Sequence, residues 1–566
     1  MTPSFPLTSA PWITVYDLDA HEFRDVGLAE ALTRAHRLNM PVIRAEDIPL
    51  LRFLVAVFDA AAGPRDVAAW DTAWKADTLD TGAVTAYLET WTDRLDLFHP
   101  VHPALQSAAL TQYARGPEAL HPGSLGGDGG AWFNPELYQP LPPYPAPHAA
   151  QLLLHLLTYD VAGIKRAAPG DPATQAGKVY GSQTGPVASS THFHVFAPLG
   201  TLKHMLLLNL PPQPRAAGDT PVWERDTPTA PMRSRPAAGR LDLLTWPTRR
   251  IRLHPTEDGT VDAVAHHDGD RLPDAWPTIE RLDPMTAWAT SKGKPHPFGF
   301  LGMDGWPQPW RGALLLDDGP QHSAVLRHIT AAVERGTVSA GLHLQGTLST
   351  TVHTNRHRAA ISDIPLATVQ LPPAGLLAHP AARAGLATMA RYAEAISRNL
   401  RLRTAELSRR PMVQVAPRMQ LNILEGAWGA AVAKYGAGDP DGARALWRDA
   451  VHEAAERRID EFPLSQMDRA KLRSLYLQSP EPSRERPARP APRAAAPSTP
   501  AAATTTVRRG PAATRYEVFG GSFTLSQLSQ HPDCVVSYKT LRDRVAEGWD
   551  VDEAATTPGR RGRKSG

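Results

Sequence analysis

At 566 residues the chain is long enough for two or three domains with a large core, and its 42% hydrophobic content is ordinary for a soluble globular protein. A single cysteine, Cys534, excludes an intrachain disulfide framework and a cysteine-rich zinc site. The net charge of +3 does not announce nucleic-acid binding, and Met1–Ala10 lacks the basic-then-apolar order of a secretory signal, so the cytoplasm is the expected location.

In chain order, helices are expected at Gly27–Arg37, Ile48–Ala62, Thr85–Arg94 and Ala149–Tyr159. The apolar run Ile48–Phe58 is interrupted by Arg52 and is too short to span a bilayer, so no membrane partner is expected. Short apolar segments at Leu241–Leu244 and Ile251–Leu253 suit strands, with Gly- and Pro-rich loops between the elements. Three basic clusters stand out: Arg249-Arg250-Ile251-Arg252, Arg356-His357-Arg358 and Arg560-Arg561-Gly562-Arg563-Lys564. Each can neutralise phosphates or form a solvated surface, and the latter is the commoner outcome.

From about residue 375 the pattern becomes helical. Leu386, Met389, Ala393, Ile396 and Leu400 share one helix face, and Leu424, Trp428, Ala431, Val432 and Tyr435 mark a second helix. Asp439-Pro440 is an N-cap followed by proline in the first turn, ahead of the stripe Ala443, Trp447, Val451 and Ala454. Gln466–Leu477 supplies a last helix.

The next stretch is nearly devoid of large apolar residues and cannot offset its ordering entropy. Phe519, Phe523, Leu525, Leu528, Val535, Val536, Leu541, Val545 and Trp549 then suggest a miniature core, with Ser537 capping a helix over Tyr538–Glu547. The predicted fold class is therefore α+β. An irregular mixed domain spans 1–372, an antiparallel four-helix bundle 373–478, a disordered Pro/Ala/Arg-rich linker 479–514, and a small helix-turn-helix-like module with a basic tail 515–566.

Motifs for catalysis fail on inspection. Gly170–Lys178 is too widely spaced for a phosphate-binding loop, and Val179 stands where Ser or Thr would hold magnesium. His452-Glu453 lacks the second histidine of a zinc-protease helix, and no Gly-x-Ser-x-Gly elbow occurs. His192, His194 and His204 make a metal site conceivable, but packed or surface histidines are the better expectation. No enzyme activity, metal or cofactor is expected.

A series of short matches, in order, covers about residues 8–478. It begins with Pro11-Trp12-Ile13, Leu28-Ala29-Glu30-Ala31-Leu32 and Leu95-Asp96-Leu97-Phe98-His99-Pro100. It continues through Tyr159-Asp160-Val161-Ala162-Gly163, Gly177-Lys178-Val179-Tyr180, Leu206–Leu210 and Pro221–Arg225 to the run Leu241–Leu253. Asp283-Pro284-Met285-Thr286-Ala287-Trp288 follows. In this series the chain resembles the CasA family, the large subunits of type I-E CRISPR Cascade complexes.

That resemblance implies a subunit that inspects duplex DNA for a short protospacer-adjacent motif through the minor groove. Such a subunit helps open the duplex for R-loop formation and helps recruit a helicase-nuclease. Its partners are guide RNA-containing Cascade subunits, small helical subunits, the double-stranded target and the displaced strand. Motif binding is carried over to Gly177, Lys178, Val179, Tyr180 and Gly181, with Lys292 or Lys294 on a later loop. Glycine admits close backbone approach to a narrow groove, and Lys178 adds charge and a donor. The strand-separating wedge is carried over to Leu344, Gln345, Gly346 and Thr347, and docking on the guide RNA and complex backbone to Trp132, Phe133 and Asn134. Arg398, Arg401, Arg403, Arg409 and Arg410 are candidates for contact with the displaced strand, or simply solvated surface. The cysteine zinc cluster of some family members is missing.

The C-terminal module lies outside this pattern. It resembles small DNA-binding modules attached to phage-type HNH nucleases, which implies auxiliary DNA contacts by Lys539, Arg542 and Arg544. A nuclease or nuclease-recruiting subunit acting through that module is the alternative function.

Overall fold

The computed structural model describes residues 3–42, 44–112, 115–121, 142–160, 165–166, 168, 170–172, 174–175, 178–179, 192–197, 200–226, 228–231, 233–271, 283–286, 288–291, 294–297, 310, 324–349, 352–353, 361–363, 366–410, 415, 424–477, 516–519, 521–529, 531, 533–536, 538–546 and 549–557. The chain divides into two compact units, Met1–Arg484 and Glu485–Gly566.

The first unit opens with β1 (Ile13–Asp17), β2 (Glu22–Val26), α1 (Leu28–Thr33), β3 (Leu38–Asn39), α2 (Asp47–Ala62), α3 (Val67–Lys75), α4 (Thr81–Trp91) and α5 (Ala146–Tyr159). It continues with β4 (Lys165–Arg166), β5 (Thr174–Gln175), β6 (Lys178–Val179), β7 (His192–Phe196), α6 (Leu202–Leu208), α7 (Arg240–Leu244), β8 (Arg249–Pro255) and β9 (Val261–Asp268). Next come β10 (Trp288–Ser291), β11 (Lys294–Pro297), α8 (Ala324–Glu334), β12 (Gln345–Ser349), β13 (Val352–His353), β14 (Ile361–Asp363) and β15 (Leu366–Gln370). It ends in α9 (Ala374–Leu377), α10 (Pro380–Ser408), α11 (Glu425–Gly436), α12 (Pro440–Glu461) and α13 (Gln466–Leu477).

Helix α2 is the hub of the N-terminal part. It is apolar on all faces, and the expected helix Ile48–Ala62 is buried along nearly its whole length. Helices α4, α5, α6 and α7 pack around it. Leu241–Leu244, expected as a strand, lies instead in the single-turn helix α7. Four residues are too few for periodicity to separate the two states, and Arg240 at the start of α7 reaches Asp59 of α2 at 2.8 Å with both side chains buried. The expected helix at Gly27–Arg37 contracts to Leu28–Thr33, and Thr85–Arg94 becomes α4 followed by a 3-10 turn over Thr92–Leu95.

The sheets are small. Strand orders are β2-β1-β3, β4-β6-β5 and β15-β12-β7, with antiparallel pairs β8-β9, β10-β11 and β13-β14.

In the C-terminal part, α12 packs on α10, α11 and α13, and α13 also packs on α10. The anticipated stripes face inward: Leu386, Met389, Ala393, Ile396, Leu400, Trp428, Trp447 and Val451 are all buried. Asp439 accepts a hydrogen bond from the Gly442 amide at 2.8 Å, as the N-cap pattern requires. Trp447 donates its indole N–H to the Met389 carbonyl at 2.7 Å and packs edge-on against Trp428. The helices do not form a body of their own, because one continuous apolar core runs from Leu7 to Leu472.

Two buried histidines carry a pH dependence. His328 stands edge-on to Trp70 with ring centroids 4.4 Å apart, and His155 lies within α5. Burial pushes each down to about 4. A folded pKa below the unfolded value means that the unfolded chain binds the extra proton. The stability is thus full above about pH 6.5 and is lost as pH falls towards 4. Between pH 7 and pH 5, His328 should lower unfolding free energy by about 2 kcal/mol. Urea melts of wild type and His328→Phe at both pH values check this, and the variant should show the smaller loss.

The second unit holds β16 (Tyr516–Val518), β17 (Gly521–Phe523), α14 (Leu525–Leu528), α15 (Tyr538–Ala546) and α16 (Val551–Thr556). Val518, Leu528, Leu541, Ala554 and Ala555 form its core, with Phe519, Phe523, Leu525, Val536 and Val545 packed against it. The unit is more than two helices and a turn, since a hairpin precedes them and α16 follows. Val535 and Trp549, expected in the core, are 56% and 38% exposed. The proposed linker 479–514 lies outside the described residues.

Candidate nucleic-acid interface

The glycine-lysine segment begins where α5 stops. Asp160 ends that helix, and β4, β5 and β6 follow within twenty residues. β6 is the middle strand, and the register aligns Arg166 and Gln175 on either side of Lys178. The Lys178 side chain is exposed. A phosphate-binding loop would lead into a helix N-terminus, but Lys178 and Val179 lie on a strand. Gly177, Tyr180 and Gly181 lie outside the described residues, as does the Val179 side chain.

The neighbouring basic cluster on β8 is neither a phosphate site nor a solvated face. Arg249 and Arg250 are each 1% exposed. Arg249 donates to the buried Asp160 carboxylate and to the Thr248 carbonyl at 2.7 Å, and lies 3.6 Å from Asp268. His266 Nε2 is 3.3 Å from the same Asp160. Arg250 pairs with Asp270, which also accepts from Arg235 at 2.9 Å. Arg235 continues to Asp242 at 2.7 Å, and Asp242 accepts from Arg225 at 2.6 Å. The result is a ladder of alternating guanidinium and carboxylate groups behind the surface, with Arg235 stacked 4.0 Å from the Trp246 ring centroid. Nothing local in the sequence reveals it, because Asp160 precedes Arg249 by 89 positions and Asp270 follows Arg250 by 20.

The later lysine loop is a hairpin. Ser291 on β10 pairs with Lys294 on β11, so only Lys292 and Gly293 separate the strands. Lys292 and the Lys294 side chain lie outside the described residues. The hairpin follows a fixed root: Asp283 is fully buried and pairs with Arg52 of α2 through two hydrogen bonds of 3.1 and 3.0 Å.

The wedge assignment needs correction. Gln345, Gly346 and Thr347 lie in β12, the central strand of its sheet, with β15 on one side and β7 on the other. Leu344 is 2% exposed and Thr347 is fully buried. A tip that parts base pairs must project, and these residues form a stem. The hairpin itself exists: β12 and β13 lead out, and β14 and β15 return. Residues 354–360 between them, including Arg356-His357-Arg358, lie outside the described residues.

Trp132, Phe133 and Asn134 also lie outside the described residues. On α10, Arg398 and Arg403 are exposed, Arg401 is largely covered, and Arg409 and Arg410 follow at the exposed helix end. Arg403 pairs with Glu406 at 2.7 Å. His204 closes a capping box with Thr201 at the start of α6, and His194 is buried in β7. Among the described residues no group of three or more His, Cys, Asp or Glu side chains is placed to hold a metal ion.

In the second unit, Arg542 is exposed and pairs with Asp543 at 2.6 Å. Arg544 turns inward instead of towards solvent. It donates to the Ala554 carbonyl at 3.0 Å and the Thr557 carbonyl at 2.5 Å, and stacks 4.9 Å from the Trp549 ring centroid. It thereby satisfies carbonyls at the C-terminal end of α16 and is committed to the fold. α16 was not expected from the sequence, so this role was not legible. The Lys539 side chain lies outside the described residues.

Comparison with known proteins gives a consistent result. The family model described as CRISPR-associated protein Cse1 matches residues 6–458. The CRISPR-associated protein CasA/Cse1 of Thermus thermophilus is 33% identical over 273 residues, which are 45% of this chain and 50% of that protein. The chain thus aligns with about half the length of this curated relative. The crystal structure of Thermobifida fusca Cse1 superposes with a TM-score of 0.66 at 23% identity, covering 84% of this chain and 98% of that one. A chain from a CRISPR RNA-guided surveillance complex gives a TM-score of 0.63 at 21% identity, over 84% and 100% of the two chains. These structural likenesses show a shared fold, and the second unit lies beyond the family match. With the match spanning most of its length, the chain belongs to the CRISPR-associated Cse1 (CasA) family.

Proposed function

We propose that this chain is the large subunit of a type I-E RNA-guided surveillance complex. In this reading it inspects duplex DNA for a protospacer-adjacent motif, helps unwind the target and helps recruit a helicase-nuclease. The observation that carries the reading is the exposed Lys178, on the middle strand of a small sheet and aligned with Arg166 and Gln175, within the segment to which the family resemblance assigns motif reading. An extended strand with one exposed lysine suits a narrow groove whose edges carry mainly acceptors. Lys292 and Lys294 act from their hairpin on the same motif, and Trp132, Phe133 and Asn134 dock on the guide RNA and its backbone subunits. Strand separation belongs to the far end of the hairpin whose stem is β12 and β15.

Lys178→Ala should weaken binding of the assembled complex to motif-bearing duplex by roughly 1–3 kcal/mol, the scale of one lost specific contact. Titrations against matched and scrambled motifs check this. An unchanged preference for the matched target would place the reading loop elsewhere.

The alternative, a nuclease-recruiting role for the second unit, draws on its surface. Val535 and Tyr538 are 56% and 47% exposed, and the span 516–557 carries three basic against seven acidic residues. Within that span the balance favours a protein partner, while the basic cluster Arg560–Lys564 beyond it is the part suited to phosphates. Lys539 and Arg542 then act as auxiliary contacts only. Incubating the purified chain with duplex DNA and magnesium tests the non-enzymatic reading, which metal-dependent cutting would overturn.

A further inference from the structure

The segment that carries the motif-reading loop is fastened at both of its ends to one strand. At the upstream end, Tyr159 closes α5 with its side chain fully buried. Its hydroxyl lies 2.7 Å from the Ser349 hydroxyl at the end of β12, and Ser349 is itself 1% exposed. Burial raises the Tyr159 pKa, so the phenol keeps its proton across the physiological range. Downstream of the segment, β7 pairs with β12 along its length. Ser349 stands opposite His192 and Gln345 opposite Phe196. Ser349 thus meets both the last residue before the reading segment and the first strand residue after it.

β12 is also the outgoing stem of the hairpin. Its other edge pairs with β15, the returning stem, from Gln345 opposite Gln370 to Ser349 opposite Leu366. One strand therefore connects the reading segment to the hairpin, and a sheet moves as a unit because its ladder hydrogen bonds resist shear.

We propose that the Tyr159–Ser349 hydrogen bond couples motif reading to strand separation, with both side chains acting as positioning residues. This rests on the function proposed above. DNA held by the Lys178 segment biases where β12 sits, and β12 sets where the hairpin end meets the duplex. The neighbouring Asp160 is held by Arg249, which anchors the end of α5 so that displacement passes to β12 instead of into the helix.

The test separates binding from opening in the assembled, guide-loaded complex. Tyr159→Phe removes one oxygen and keeps the ring. Affinity for matched over scrambled motifs should remain within about threefold of wild type. Opening of the first base pairs beside the motif, read by 2-aminopurine fluorescence, should fall about five- to tenfold, the scale of one buried hydrogen bond. Ser349→Ala should reproduce the split, Ser349→Thr should retain opening, and Tyr159→Phe/Ser349→Ala should be no worse than either single change. Wild-type opening in both single variants overturns the coupling. A parallel loss of binding and opening, with a lowered melting temperature, overturns it in favour of a purely structural bond. If wild type itself shows no motif preference, the proposed function fails and the coupling fails with it.

Discussion

Arg249→Ala should unfold at markedly lower denaturant while leaving the salt dependence of DNA binding unchanged. From the sequence, Arg249 sits in the basic cluster Arg249-Arg250-Ile251-Arg252 and invites a phosphate contact. In the structure its guanidinium is enclosed, bonded to Asp160 and the Thr248 carbonyl and close to Asp268. Truncation leaves the Asp160 carboxylate buried after its guanidinium partner has gone. Removing one member of a buried pair costs about 3–5 kcal/mol, because the residual charge is no longer compensated in a medium of low dielectric. Asp268 is less exposed to the loss, since Arg271 still binds it. Arg249→Leu combined with Asp160→Asn should recover part of the deficit, because no unpaired charge remains. A true phosphate contact predicts a different result: the slope of log affinity against log salt would shrink by about 0.9. Urea denaturation and a salt titration of the assembled complex, below its melting temperature, distinguish the two readings.

What could be seen in the sequence follows the range of the signal. The stripes Leu386–Leu400 and Ala443–Ala454 repeat within one helix, so the period alone identifies the buried face, and those residues are buried. The cap at Asp439 is equally local. By contrast, β4, β5 and β6 are two residues each, too short for any alternation to register. Their existence depends on pairing between residues up to fourteen positions apart. Gly177–Lys178 stood out only through the family resemblance. Leu344–Thr347 shows the complementary failure. The resemblance alone assigned the wedge to these residues, and whether they form stem or tip depends on register, which is set by β7 and β15 and which no local pattern reveals. The arginine ladder was hidden for the same reason, since every carboxylate that binds it comes from elsewhere. Arg544 shows how such a miss misleads function. A basic residue on a short helix reads as a DNA contact until the helix that it caps is known.

Asp283→Ala should produce a loss of similar size, about 3–5 kcal/mol, with an added functional cost. Asp283 lies 231 positions from Arg52, and the pair is bidentate and enclosed. The same carboxylate accepts hydrogen bonds from the Met285 amide at 3.0 Å, the Thr286 amide at 3.2 Å and the Thr286 hydroxyl at 2.6 Å. It therefore does two jobs. It neutralises the one arginine that interrupts the apolar hub helix α2, and it folds Asp283–Thr286 into a tight turn. That turn leads within two residues into β10 and the hairpin that carries Lys294. Arg52→Met removes only the first job. It should destabilise the protein by orphaning Asp283, yet leave the turn's own hydrogen bonds in place. Arg52→Met with Asp283→Asn should be more stable than either single change, since the charge is gone and an amide oxygen can still accept from the turn. If the turn sets the hairpin, motif-dependent binding should drop in Asp283→Ala but survive in the double variant, each measured below its own melting temperature. Equal binding in all three would show that the ion pair serves the core alone and that Lys292 and Lys294 take their position from elsewhere.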